Sequence, residues 1–190
     1  MELSAPVVDR TAREYRNLEP LYEREREHLE TFPAAFADGE YGWKDAQWIV
    51  RWYFRRYLGA YPYDDRAAVE DAFDDNDFEA VRSAVAAALA AEDIEGRLRA
   101  LTALSGIDVP VASAFLFFLA PERYLAVGER EWGVLRSAGE LVGPYPDPPS
   151  PAAYGRYLTT VRSLADEFDC TLWDLYRCLW RLGADGGSDS

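Results

Sequence analysis

Residues 101–135, LTALSGIDVPVASAFLFFLAPERYLAVGEREWGVL, decide the fold. Apolar residues recur at helical spacing as far as Leu104. Gly106-Ile107-Asp108 then breaks the period with a glycine followed by a helix-capping acid. A second apolar helix is expected over 109–119, with Pro110 tolerated in its first turn. A short loop leads to a third helix over about 129–138. Leu101, Leu104, Val111, Ala112, Phe115, Leu116 and Leu119 supply the spacing of a core, so the stretch reads as helices packed around a tight corner.

Outward from this stretch the period stays helical and no alternating strand emerges, which predicts an all-α chain. Segment 8–31 is charged and helical, with a break where Pro20 opens a second helix. Its run LYEREREHLE predicts a solvated face laced with i,i+4 pairs. A loop is expected around 33–42, then a helix over 43–58 stopped by Gly59. Helices over 65–73, 77–91 and 93–104 have Asp64, Asp75 and Asn76 at hand as caps. Five prolines in 142–151 require an irregular loop. The last helices span about 151–168 and 172–182, the second opened by a Thr171–Asp174 capping box and closed by Gly183. The predicted organisation is an N-terminal helical segment at 1–40, a main domain at 41–183 and a disordered tail at 184–190.

The 190 residues are 49% hydrophobic and 14% aromatic, ample for a packed interior. The start MELSAPVVDR lacks a signal-peptide pattern and no apolar run is long enough to span a membrane, so a soluble cytoplasmic protein without membrane contact is expected. Cys170 and Cys178 lie eight apart in a helical pattern, about 12 Å between Cα atoms, too far for a disulfide. Acids number 34 against 20 basic residues, of which only Lys44 is a lysine. A net charge of −14 with almost no lysine resembles the cytoplasmic proteins of salt-in halophiles. No domain is basic, which weighs against simple nucleic-acid binding by charge.

Leu104, Gly106, Ile107 and Ala112, with Ala126-Val127 further on, resemble the hairpin and catalytic loop of the helix-hairpin-helix DNA glycosylases, in particular the 8-oxoguanine-glycosylase-like branch. The resemblance is specific over about 35 residues and compatible with roughly 43–182. It implies a two-lobed helical glycosylase-like fold with a helix-hairpin-helix motif, association with DNA and a base-excision role. The departures fall on the chemistry. Asp108 stands where the family has its second hairpin glycine, Pro110 where lyase-type members carry the nucleophilic lysine, and Gly128 where the catalytic aspartate belongs. Glu129 is the nearest candidate to supply the missing acid, with Glu131 behind it. One residue along a helix turns a side chain by about 100°, so adjacency does not preserve aim. The competing account makes Glu129, Arg130 and Glu131 an exposed first helical turn whose acids answer the dipole.

If the resemblance extends to phosphate binding, the donors are main-chain N–H groups at the corner, around Gly106, Ile107, Val109 and Val111, less Pro110. Asp108 competes for the same amides as an N-cap. A monovalent cation bridging Asp108, carbonyls and a phosphate is the one cofactor suggested. A second constellation needs no resemblance. Residues 46–63, AQWIVRWYFRRYLGAYPY, hold seven aromatics and no acid. Trp43, Ala46, Val50, Tyr53 and Tyr57 share the expected core face. Lys44, Trp48, Arg51 and Arg55, with Trp52 beside them, form a stripe that suits phosphates and bases. Against this, the arginines have many carboxylates to pair with and the tryptophans a core to fill. The aromatics also suit the wall of a cleft for an extruded base. His28 reads as a surface residue, because no second histidine exists to build a metal site. The chain contains no P-loop, dinucleotide fingerprint, zinc cysteine pair or nucleophile elbow. Two functions stay open: a divergent DNA-associated glycosylase-like protein, or a non-enzymatic helical module that holds a protein partner.

Overall fold

The computed structural model describes residues 2–185, which form ten helices and no strand. They are α1 (Ala5–Leu18), α2 (Tyr22–Ala37), α3 (Trp43–Arg55), α4 (Tyr63–Asp74), α5 (Phe78–Ala90), α6 (Ile94–Leu101), α7 (Val109–Leu119), α8 (Glu129–Ala138), α9 (Pro151–Phe168) and α10 (Leu172–Asp185). None of them is long and apolar enough to cross a membrane.

The hydrophobic helix α7 lies at the centre, buried on every side from Pro110 to Leu119. A helix that is apolar all round needs neighbours all round, and α2, α3 and α6 pack against it. The chain ends meet: α1 lies along α10, which also packs on α8 and α9. The Arg177 guanidinium ties this junction by donating to the Ala12 carbonyl at 3.2 Å. Helices from 1–40 and from 41–183 thus line one continuous core.

Several boundaries differ from expectation: α1 already begins at Ala5, and α6 ends at Leu101 rather than 104. The loop predicted from Pro33 begins only after Ala37, because α2 runs through the proline. An interior proline costs a helix about 3 kcal/mol. Here Phe32 and Phe36 on either side of it are buried, and Phe36 stacks on Tyr41 at 4.0 Å, so core packing outweighs the local loss. α3 ends at Arg55, three residues early, and the chain turns through positive φ at Leu58 and Gly59. α10 continues past Gly183 to Asp185; the rest of the expected tail, 186–190, lies outside the described residues. The caps also differ: Asp64 lies inside the first turn of α4, which opens after Pro62, while Asp77 accepts from Glu79 N–H and Asp93 from Gly96 N–H. Asn76 instead clasps the corner, donating to the Ser105 carbonyl and accepting from Ser105 N–H, each at 3.0 Å. The Thr171–Asp174 capping box forms as expected, and both cysteines are free.

The corner itself is packed from beneath. Gly106 has φ +75°, and a Cβ there would lie 2.6 Å from Val69 O and 2.8 Å from Phe73 N, inside α4's backbone. Only glycine meets both demands.

Between α7 and α8 the chain crosses the core without regular structure, so each of its polar groups needs a partner. Three buried tyrosines supply them in sequence. Tyr154 donates to Leu125 O at 3.0 Å, Tyr157 to Ala126 O at 2.9 Å and Tyr53 to Val127 O at 3.1 Å. Ser113 Oγ accepts from Val127 N–H. These bonds hold Gly128 and the start of α8 in place. Replacing Tyr157→Phe strands a buried carbonyl, and a loss of about 1–3 kcal/mol is expected in urea unfolding, with native helix content retained. An unchanged midpoint would mean that Ala126 O has another donor.

Candidate functional site

A cleft of about 370 Å³ opens where several parts of the fold converge. The end of α3 contributes Tyr53 and Phe54, and the α3–α4 loop adds Tyr57, Tyr61 and Pro62. The start of α7 contributes Asp108 and Pro110, the start of α8 Glu129, and the α8–α9 loop Tyr145 and Asp147. Tyr61 is braced edge-on by Phe54 at 4.9 Å and leans on Tyr57 at 5.6 Å, so one wall is a fixed aromatic surface. Three carboxylates and no lysine, arginine or histidine are among the lining residues described. Asp108 is exposed at the mouth, yet lost solvation raises its carboxyl above the ordinary range, against the pull of the Val111 N–H bond and with a further push from Asp147. Burial likewise raises Tyr61, and Asp108, Asp65 and Asp147 add to it. A groove of about 610 Å³ between the end of α2 and α5 is larger; its walls hold Phe36, Tyr41, Asp38, Glu79 and Arg82 among small and aliphatic residues, so it has fewer aromatics than the cleft and a cation beside its acids.

Behind the aromatic wall lies a buried ion pair. Arg56 Nη1 meets Glu131 Oε1 at 2.5 Å, and both residues are sealed from solvent. The guanidinium is packed among the rings of Tyr53, Trp180, Trp52 and Tyr57, at 4.5–5.3 Å from their centroids. Burial works against its charge, but Glu131 together with Tyr57, Tyr176 and Tyr53 outweighs it, so the proton is held more tightly than in water. Arg56 Nη2 and Glu131 Oε2 have no well-aligned hydrogen-bond partner among the described residues, although the Tyr57 and Tyr176 hydroxyls lie close enough to interact with the guanidinium. Those two atoms converge on Gly128: a Cβ there would lie 2.7 Å from Glu131 Oε2, 2.8 Å from Arg56 Nη2 and 3.0 Å from Tyr57 Oη.

The residues singled out in the sequence are therefore dispersed. Glu129 is exposed on the cleft, whereas Glu131 is fully buried; the exposed first turn expected at 129–131 is corrected by its pairing with Arg56. At the corner, Ile107 N–H donates to Leu104 O and Val111 N–H to Asp108 Oδ1, so two of the expected phosphate donors already have acceptors. Val109 is half-buried and Gly106 rests on α4. Asp108 is the N-cap, as its type and position suggested.

Nor do Lys44, Trp48, Arg51, Trp52 and Arg55 form one open stripe. Lys44 and Arg55 are exposed, and Arg51 pairs with Glu70 at 3.6 Å and Asp74 at 3.5 Å. Trp48 packs edge-on against Phe118 at 5.1 Å. Trp52 is buried with its indole N–H on Glu25 Oε1 at 2.7 Å. His28 is half-buried between Phe32 and Trp48, each ring 4.1 Å away, and burial lowers its pKa; the surface placement is corrected by this packing.

Two buried charges escaped the sequence account, and a signal for each was present. Glu25 occupies the apolar register Tyr22, Leu29, Phe32, Phe36, and Arg56 the register Ala46, Ile49, Tyr53. A charge at a core position is a charge with a buried partner. For Glu25 those partners are Trp52 and the Tyr15 hydroxyl, at 2.8 Å. No family model, curated protein or solved structure matches this chain.

Gly128→Ala forces its methyl into the Arg56–Glu131 pair and is expected to cost about 1–3 kcal/mol in urea unfolding; a neutral result would mean that the pair yields freely. Burial raises Glu25 to about 7, opposed by the Trp52 and Tyr15 bonds. The folded chain thus favours its proton. The stability from this group is complete below about pH 4.5 and is lost as pH rises through about 7, on the order of 3 kcal/mol in all. Unfolding midpoints of wild type and Glu25→Gln from pH 5 to 8 should diverge, with the variant flatter; parallel profiles would contradict this.

Proposed function

We propose that this chain is a binding protein on a glycosylase-like helical frame, that the cleft between α3, α7 and α8 is its site, and that it holds a partner without excising a base. The observation that carries this reading is the state of position 128. Gly128 offers no carboxylate, and the nearest buried carboxylate, Glu131, is committed to Arg56. Pro110, on the cleft wall, offers no amine where the resembled family would attack the sugar. Glu129 reaches the cleft from the first turn of α8, one residue and about 100° away from the matched aim. The frame is supported by helix–corner–helix geometry at 94–119 and by the packing of the first helix on the last.

A second reading, DNA association with an unpaired base in the cleft, is favoured by the aromatic walls and by Pro110 and Glu129 meeting there. Under it, affinity comes from stacking rather than phosphate contacts. Added salt then screens repulsion from the acidic rim and does not weaken binding, opposite to the usual fall.

A base-release and strand-cleavage assay over duplex, abasic and oxidised-base oligonucleotides in molar potassium chloride tests the first reading, in the medium that the acid excess suits. No released base and no cut strand are expected. Multiple-turnover release that disappears in Glu129→Gln would overturn it and make Glu129 the relocated acid.

A further inference from the structure

We infer that the cleft receives the guanidinium of an arginine presented by a protein partner between apolar residues; this rests on the cleft being the binding site proposed above. The first observation is charge. Asp108, Glu129 and Asp147 stand around the mouth and no cation lines the walls described. Asp108 and Asp147 are near enough for each charge to oppose the other, which an incoming cation relieves. A phosphate or carboxylate is repelled by the same arrangement.

The second observation is shape. Between the acids the walls are aromatic, with Tyr61 fixed by Phe54 and Tyr145 held against Trp132 at 6.0 Å. A flat, delocalised cation that stacks on rings and donates in a fork to carboxylates is a guanidinium; an ammonium offers neither the plane nor the fork. The molecule uses this chemistry within itself. Arg130 lies over Trp180 at 4.3 Å and Tyr57 at 5.1 Å, and Arg56 combines four rings with one carboxylate.

The third observation separates a protein from a free small molecule. Leu58 is 60% exposed, Tyr63 69% and Val142 93%. Leu58 sits on the loop that supplies Tyr61 and Pro62, Tyr63 opens α4 directly after Pro62, and Val142 sits on the loop that supplies Tyr145 and Asp147. A free guanidine would leave this rim in water. A peptide carrying apolar residues beside its arginine covers it.

The test is a fluorescence-anisotropy titration of the full chain with a labelled Gly-Leu-Arg-Leu-Gly peptide and its citrulline and lysine counterparts. Citrulline keeps the shape of arginine and removes the charge. Free arginine amide and an oligonucleotide with an unpaired base serve as unlabelled competitors. The arginine peptide is expected to bind at least tenfold tighter than either counterpart. Asp147→Asn should erase that margin, and Asp108→Asn should do the same while its asparagine still caps α7. Equal binding of arginine and citrulline peptides overturns the inference but leaves the cleft a binding site. Arginine amide competing as well as the unlabelled peptide overturns the protein partner, and displacement by the oligonucleotide alone overturns it in favour of a base. If no probe binds the wild type, the inference and the proposed site fail together.

Discussion

The buried pair of Arg56 and Glu131 joins α3 to α8 across 75 residues of chain, and the back of the cleft is built on it. Removing two charges from water costs several kcal/mol each, so such a pair persists only with close geometry and further partners. Here the contact is 2.5 Å and four aromatic rings enclose the guanidinium. The charged atoms crowd the face of Gly128, which excludes any side chain there. The residue that ends the buried crossing 125–128 is therefore constrained from both sides, by tyrosine hydroxyls on the preceding carbonyls and by the ion pair over its own Cα.

Trp52 links this pair to the second buried acid. Its indole N–H donates to Glu25 and its ring lies 5.2 Å from the Arg56 guanidinium. Glu25, Trp52, Arg56 and Glu131 form a polar seam through an otherwise aromatic interior. Arg56 pairs directly with Glu131 along it and acts on Glu25 only as a minor influence. Glu25 relies on neutral donors, which is why burial leaves it protonated into the neutral range. The consequence for function is a rigid support. Under the proposed function, the tyrosine walls that pack on this seam present fixed rings to a bound partner.

Much of the helical frame was legible in the sequence. α7, α8 and α9 have the expected bounds: Asp108 and Ser150 cap the starts of α7 and α9, and Gly139 and Asp169 in the αL conformation close α8 and α9. The failures came where tertiary packing overrode a local signal. Pro33 stays helical because Phe32 and Phe36 are anchored, and α3 ends at Arg55 where the buried Arg56 is drawn to Glu131 and the chain turns through positive φ at Leu58 and Gly59. The site was harder to read. Glu25, Arg56 and Glu131 look like surface charges in a chain with 34 acids, and only their register marks them as interior. The register says that a partner exists without saying which. Arg56 could be matched to Glu131 only after α3 and α8 were brought together. The Arg/Trp stripe misled for the same reason: Trp52 and Arg51 point to partners on α2 and α4 that lie far away in the chain.

A double-mutant cycle on the buried pair tests the central claim most directly. Arg56→Met and Glu131→Leu are made singly and together, and unfolding free energies are measured at one pH and salt. Each single variant leaves one buried charge without its partner and is expected to lose about 3–5 kcal/mol. The double variant should lose much less than their sum, with a coupling of at least about 2 kcal/mol. Losses that simply add would mean that the two side chains do not depend on each other and that the cleft is held by something else.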